Sequence, residues 1–176
     1  QLAIQDVARR LARERIAPVA AQFDRSGEFP LETIRVLGEN GLMGIEVPAE
    51  YGGFGMASSY DLAVGLSRLG QGDGSTAIAA NMHLVFGLIA TRNLRRAEAR
   101  GNEQEVATLQ GYLTFLGSGS IGMANATEGG TDLLHPLVEA TRVDDGWALN
   151  GRKIFSTLSP MADLFFVPLR ARMEDG

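Results

Sequence analysis

The chain has 176 residues, of which 45% are apolar and 21% charged, a balance that fits an ordinary globular protein and excludes a disordered or low-complexity one. A net charge of −5 excludes a nucleic-acid surface, which needs a dominant basic face to neutralise phosphates. With no cysteine and two histidines, His83 and His135, there is no disulfide frame, no thiolate nucleophile and no metal cluster to propose.

Apolar residues recur at three- and four-residue steps from Leu2 to Phe23, the signature of one face of a helix. Pro18 falls inside that pattern, so the helix is expected to kink or restart near Ala17. Arg9, Arg10, Arg13, Glu14 and Arg15 interrupt every apolar run near the start, so no signal peptide is read there. The expected location is the cytoplasm, with a removed targeting segment left open because the chain begins at Gln1. Pro30 suits the first position of a second helix, Leu31 to Asn40, which Gly41 can close.

Leu42 to Met56 is glycine-rich and reads as a tightly turning loop. Ser58 with Asp61 resembles a capping box for a third helix that ends near Gly70. From Thr76 to about Arg95 the chain is apolar on nearly all sides, as expected of a central bundle helix. Its most apolar window, Thr76 to Thr91, falls short of the about 18 to 20 residues of a membrane span, so no span is expected. The cluster Arg92, Arg95, Arg96 and Arg100 suits the carbonyl-rich end of that helix. A last helical stripe comes next at Val106, Leu109, Leu113 and Leu116.

After Gly117-Ser118-Gly119-Ser120 the pattern becomes β-prone. Leu137 to Val143, Trp147 to Asn150, Arg152 to Phe155 and Leu164 to Arg170 are short candidate strands, and Asp145-Gly146 and Asn150-Gly151 are turn dipeptides. The expected class is α+β, a helical domain over 1–117 followed by an antiparallel β-domain over 118–176. Two polar clusters stand out in the second part, residues 127–132 and Phe155-Ser156-Thr157. Hydroxyls and glycines at strand ends let a backbone approach a flat, polar heteroaromatic cofactor.

The ordered set GEFP (27–30), NGLMGIEVPAEYGGFGM (40–56), the apolar helix from Thr76, ATEGGTD (126–132) and LNGRKIFST (149–157) resembles the acyl-CoA dehydrogenase superfamily across essentially the whole chain. The resemblance implies a helical N-terminal domain, a middle β-domain that this chain would hold in part, and a C-terminal helical domain that it would lack. It implies FAD as cofactor. Thr127, with Ala126 beside it, matches the threonine at the pyrimidine edge of the flavin, and Thr131 the residue at the FAD pyrophosphate. Phe155 stands where a tryptophan usually packs on the isoalloxazine, and Ser156 and Thr157 match the segment that reaches flavin N5.

The implied activity is α,β-dehydrogenation of an acyl-CoA thioester within fatty acid metabolism. An electron-transfer flavoprotein or another acceptor would take the electrons, and the protein would be a homo-oligomer, tetramer or dimer. The catalytic base is expected in the C-terminal domain, so no residue here is assigned that role. Thr76, Ala79 and His83 are the substrate-pocket candidates, with Ala79 where some relatives carry a pocket-bottom glutamate. The loop between Glu128 and Thr131 is two residues shorter than the usual one. That departure, Phe155 and His83 motivate an alternative, a monooxygenase of the same fold that uses reduced flavin and oxygen. A non-catalytic truncated homologue is the third reading.

Overall fold

Pro18 sets the geometry of the first helix. The computed structural model, which describes residues 2–56, 58–124 and 135–172, opens with α1 (Leu2–Leu11), a π-helical segment Ala12–Ile16, and α2 (Ala17–Ser26). Proline has no N–H to return to the preceding turn. The ladder therefore lengthens by one residue, and the Ala17 N–H reaches the Ala12 carbonyl. The expected restart at Ala17 is where the structure puts it. Ala8, Leu11, Ala12 and Ile16 face the core, and Gly27 closes α2 in the left-handed conformation at φ 68.

α3 (Leu31–Glu39) begins one residue after Pro30, whose ψ of 61 leaves it outside the helix. Residues 42–56 form two short 3-10 turns, Leu42–Gly44 and Ala49–Tyr51. The loop then folds back on itself through Phe54 N–H to Gly44 O (3.1 Å), Gly55 N–H to Val47 O (2.8 Å) and Met56 N–H to Ile45 O (2.8 Å). α4 (Ser59–Gly70) starts at Ser58, whose hydroxyl oxygen accepts from the Tyr60 N–H at 3.2 Å. α5 (Gly74–Arg100) is capped by Asp73, whose carboxylate accepts from both the N–H and the hydroxyl of Thr76 at 2.7 Å. α6 (Glu103–Gly117) comes after it, with Asn102 accepting from the Glu105 N–H.

α5 is longer than the sequence pattern suggests, because polar Ser75 and the arginines at its far end are accommodated in its first and last turns. At 27 residues it is long and apolar enough to cross a membrane by length and composition. Most of its apolar side chains are buried in this fold, with Ile78 exposed. Ala77, Ala79, Ala80, Leu84 and Leu88 join one core with α1, α3, α4 and the 42–45 turn. Phe86, Ala90 and Leu94 join a second core with Val47, Leu113 and Leu116. At about 25 cal/mol for each Å2 of apolar surface removed from water, these two seams dominate the stability of the helical part.

The helices end at Gly117 and the strands begin at Gly122. β1 (Gly122–Ala124) pairs in parallel with β4 (Leu164–Phe166). A separate sheet has the order β3-β2-β5, built from β2 (Glu139–Val143), β3 (Gly146–Asn150) and β5 (Arg170–Arg172). β2 and β3 form the expected antiparallel hairpin, with Asp144-Asp145 as its turn and Val143 opposite Gly146. Arg142 lies over the Trp147 ring, 5.4 Å from its centroid.

Two features depart from a simple antiparallel meander. β2–β5 and β1–β4 are parallel, because both later strands return after long connections instead of tight turns. Residues 152–155 form no strand, since Phe155 adopts φ 59. The second part is also not detached from the first. Ile121 and Leu158 are buried in the same core as the α3 and α5 side chains.

Candidate functional site

The short β1–β4 pair lies close in sequence to both polar clusters, the first of which falls outside the described residues. β1 leads directly into the first cluster, and Phe155–Thr157 precedes β4 by a few residues. Three sets of contacts fix this pair. Asp163 Oδ2 accepts from the Ile121 N–H at 2.8 Å, while the Asp163 and Leu164 N–H groups donate to the Ile121 carbonyl at 2.8 and 3.1 Å. The third set comes from His83 on α5, which reaches the backbone of Gly122.

Phe155 is the unusual residue of the second cluster. Its backbone is left-handed at φ 59, the one non-glycine residue so placed among those described, and its ring is 75% exposed. A bulky residue there costs about 1 to 2 kcal/mol. A run of tight turns just after Phe155 holds the strain in place. The Thr157 N–H donates to the Phe155 carbonyl at 3.0 Å, the Ser159 N–H to the Ser156 carbonyl and the Met161 N–H to the Leu158 carbonyl. Leu158 is fully buried and anchors the run in the helical core. The Thr157 hydroxyl donates weakly to the Phe155 carbonyl at 3.4 Å, which leaves its oxygen able to accept.

The three α5 candidates form one buried stripe. Thr76 spends its hydroxyl on the Asp73 cap, and Ala79 is packed in the core at 3% exposure. His83 has both ring nitrogens on backbone: Nε2 is 2.6 Å from the Met43 carbonyl oxygen, and Nδ1 lies 3.0 Å from the Gly122 nitrogen and 3.2 Å from the Gly122 carbonyl oxygen. Burial drives its pKa below the ordinary histidine value, against the raising effect of those hydrogen bonds to Met43 and Gly122.

A cavity of about 650 Å3 opens between α3, the 41–54 loop, residues 116–121 and residues 160–163. Met43, Phe54, Ile121 and Met161 supply apolar walls, with Arg35, Glu39 and Asp163 as charged groups. His83 lines it, whereas Thr76, Ala79 and Phe155–Thr157 do not. The cavity and the strained Phe155 segment are thus separate features, and the hydroxyl-bearing segment is the one whose chemistry suits a flat cofactor. Ala126, Thr127 and Thr131 lie outside the described residues. No group of three or more His, Asp or Glu side chains able to hold a metal occurs among the described residues.

Glu46 is a residue the sequence reading passed over. It is 1% exposed, and neither carboxyl oxygen has a hydrogen-bond partner among the described residues. Burial, and then the charge of Asp61, push its pKa up to about 8 against the opposing pull of Arg92. The signal available was a lone acid in the apolar run Ile45-Glu46-Val47. Its backbone carbonyl, which accepts from the Thr91 hydroxyl at 3.0 Å, ties the loop to α5.

Comparison with known proteins places this architecture. Residues 1–93 match the family described as acyl-CoA dehydrogenase, N-terminal domain. The chain is 38% identical over 176 residues to benzylmalonyl-CoA dehydrogenase of Aromatoleum aromaticum, covering 99% of this chain and 44% of that protein. It is 35% identical over 162 residues to L-evernosamine nitrososynthase of a Micromonospora species, covering 92% and 37%. Among solved structures, KijD3 in complex with FMN and dTDP-3-amino-2,3,6-trideoxy-4-keto-3-methyl-D-glucose superposes with a TM-score of 0.81 at 32% identity, over 98% of this chain and 42% of that one. The chain thus spans less than half the length of these relatives. The chain belongs to the acyl-CoA dehydrogenase superfamily, and its residues 1–93 match that family's N-terminal domain.

Proposed function

We propose that this chain forms one wall of a flavin site in an oxidoreductase that desaturates an acyl-CoA thioester between its α and β carbons. The observation that carries the reading is Phe155, an exposed aromatic ring held in a strained backbone by a rigid turn anchored at Leu158. Backbone strain of this kind concentrates where a ligand is gripped. The residues fit the cofactor: Phe155 offers a flat apolar face, and Ser156 and Thr157 offer main chain and hydroxyl. Ala126 and Thr127 would serve the pyrimidine edge and Thr131 the pyrophosphate, which makes FAD the preferred flavin. When bound, the flavin supplies a two-electron acceptor. The chain's own residues cover one ring face, exclude water from it and orient its edge.

The identity to a CoA-thioester dehydrogenase supports the thioester as substrate. An electron-transfer flavoprotein or similar acceptor, and assembly as a homo-oligomer, belong to the same reading. Glu46 is not assigned as the base, because it is buried and does not line the cavity. The test is anaerobic mixing of the flavin-loaded, natural-length protein with straight-chain, branched and aromatic acyl-CoA thioesters. Bleaching of the oxidised flavin band by at least one of them is expected, and no bleaching by any sinks the dehydrogenase reading.

A second reading is favoured by the TM-score of 0.81 to an FMN complex that holds a nucleotide-linked amino sugar. In it the same wall serves an oxygen-using reaction on a different substrate. Oxygen uptake by the reduced, flavin-loaded protein, coupled to an oxygenated amino-sugar product and accompanied by silence toward every thioester, would select it.

A further inference from the structure

We infer that the cavity beside α3 is a binding site for an organic cation, a protonated amine carried on a compact apolar body, separate from the flavin wall. The charge pattern of the helix ends sets it up. Four of the six α-helices close with a basic residue in the last turn: Arg9 and Arg10 in α1, Arg25 in α2, Arg68 in α4 and Arg100 in α5. Each complements the partial negative charge of a helix C-terminus. α3 and α6 close with no basic residue. They are also the two helices whose last turns line the cavity, through Gly38 and Glu39 of α3 and through Leu116 and Gly117 of α6.

Two carboxylates add to that field. Glu39 places an acid where the α3 terminus favours a base, and Asp163 lines the wall formed by residues 160–163. The Asp163 carboxylate is held in place by the Ile121 N–H, which donates to Oδ2 at 2.8 Å. Arg35 is the opposing charge. Its side chain is 59% exposed and lies 3.9 Å from the Glu32 carboxylate, which is not part of the lining, so solvent and that acid weaken its field. His83, the remaining titratable group of the lining, has both ring nitrogens within hydrogen-bonding distance of backbone atoms. The rest of the wall is largely apolar, with Ile34, Met43, Ile121 and Met161 joined by the 56% exposed ring of Phe54, whose face attracts a cation. A volume of about 650 Å3 suits a small molecule. A bare metal ion does not suit these walls, and no group of three or more His, Asp or Glu side chains occurs to hold one among the described residues. An amine on an apolar body matches both the charge of the helix ends and the walls.

The probe is 2-phenylethylamine, with 2-phenylethanol and phenylacetate as its neutral and anionic counterparts, each titrated into the protein at about pH 7, where the amine keeps its proton. Backbone amide NMR reports the site. Saturable shifts at residues 34–44, 116–121 and 160–163 are expected with the amine, at a dissociation constant of about 1 mM or tighter. The alcohol should bind about tenfold more weakly and phenylacetate more weakly still, because the three differ chiefly in charge. Glu39→Gln should weaken the amine by about threefold or more and leave the alcohol unchanged, whereas Arg35→Gln should strengthen the amine. Gly38→Leu tests the space itself. A Cβ there would meet only Met43, at 3.9 Å, and a helix accepts leucine better than glycine. The longer side chain should fill the cavity and abolish binding of all three probes, with the helical circular dichroism of the protein retained.

Equal affinity for amine and alcohol, tighter binding of phenylacetate, or a Glu39→Gln loss shared equally by amine and alcohol overturns the cation assignment. Shifts confined to other residues, amine binding untouched by Gly38→Leu, or no saturable binding of any probe overturns the site. None of these readouts passes through flavin. Protein that takes up no flavin therefore sinks the flavin reading and leaves the outcome for the cavity standing on its own.

Discussion

Glu46 takes a carboxyl group into an interior that offers it no donor among the described residues. Its folded pKa of about 8 lies above the value of 4.5 expected when unfolded, so between those two values the unfolded chain has lost the proton and the folded one has kept it. The unfolded state binds fewer protons there, and stability falls as pH rises through that window. The loss reaches roughly 3 kcal/mol by about pH 7, at 1.36 kcal/mol for each unit. Glu46→Gln keeps the shape and removes the ionisation. Its urea midpoint is expected to exceed wild type at about pH 8 and to match it at about pH 4.5; identical slopes for the two proteins would rule this account out. Phe155 makes the opposite trade. Because its ring is 75% exposed, Phe155→Asn loses little burial and places a residue that tolerates the left-handed region. Stability should hold or rise by up to about 1 kcal/mol while flavin affinity drops at least tenfold, a split readable from denaturation and flavin titration on one sample.

At the scale of elements, what was legible in the sequence was what is encoded locally. The Pro18 restart, the Ser58 cap, the Leu113 and Leu116 stripe and the hairpin after Val143 each depend on residues a few positions apart, and each is where local chemistry puts it. The parallel pairings of β1 with β4 and β2 with β5 were not legible, because partners some 40 and 31 residues apart leave no periodicity to read. The left-handed backbone of Phe155 was not legible, since nothing in Ile154-Phe155-Ser156 demands positive φ. The 125–134 half of the site lies outside the described residues, so its reading rests on sequence alone. α6 offers an internal control on packing. A Cβ at Gly117 would fall 1.5 Å from the Tyr51 carbonyl oxygen, whereas nothing lies within 4 Å at Gly111. Gly111→Ala should therefore stabilise by about 1 kcal/mol through helix propensity. Gly117→Ala should destabilise by about 2 kcal/mol or more, because backbone has to move. Thermal unfolding of the pair separates the effects by sign, and a stabilising Gly117→Ala would refute the close docking of α6 on the Ala49–Tyr51 turn.

For the whole molecule, the distribution of aromatic side chains divides interior from unfinished surface. Phe86 is buried and packs edge-on against Phe166 at 5.9 Å and tilted against Tyr112 at 6.4 Å. Around it Phe165 is 50% exposed, on the other sheet Leu149 is 57% exposed, and Leu137, which precedes β2, is 67% exposed. Exposed apolar groups in such number mark a surface suited to contact with further protein or with a ligand. Relatives of more than twice this length are consistent with further protein there. The 75% exposure of Phe155 leaves a flavin stacked on it open to solvent among the described residues, whereas tight small-molecule sites enclose most of the ligand. Residues 1–176 should therefore fold their helices, bind a hydrophobic dye, and hold flavin roughly a hundredfold more weakly than a relative of full length such as benzylmalonyl-CoA dehydrogenase, a deficit of about 2.8 kcal/mol. Circular dichroism, dye fluorescence and flavin titration on the two polypeptides measure each part. Tight stoichiometric flavin binding by residues 1–176 would mean that this chain encloses the cofactor by itself, and that Phe155 is one side of a closed pocket instead of one wall of a shared one.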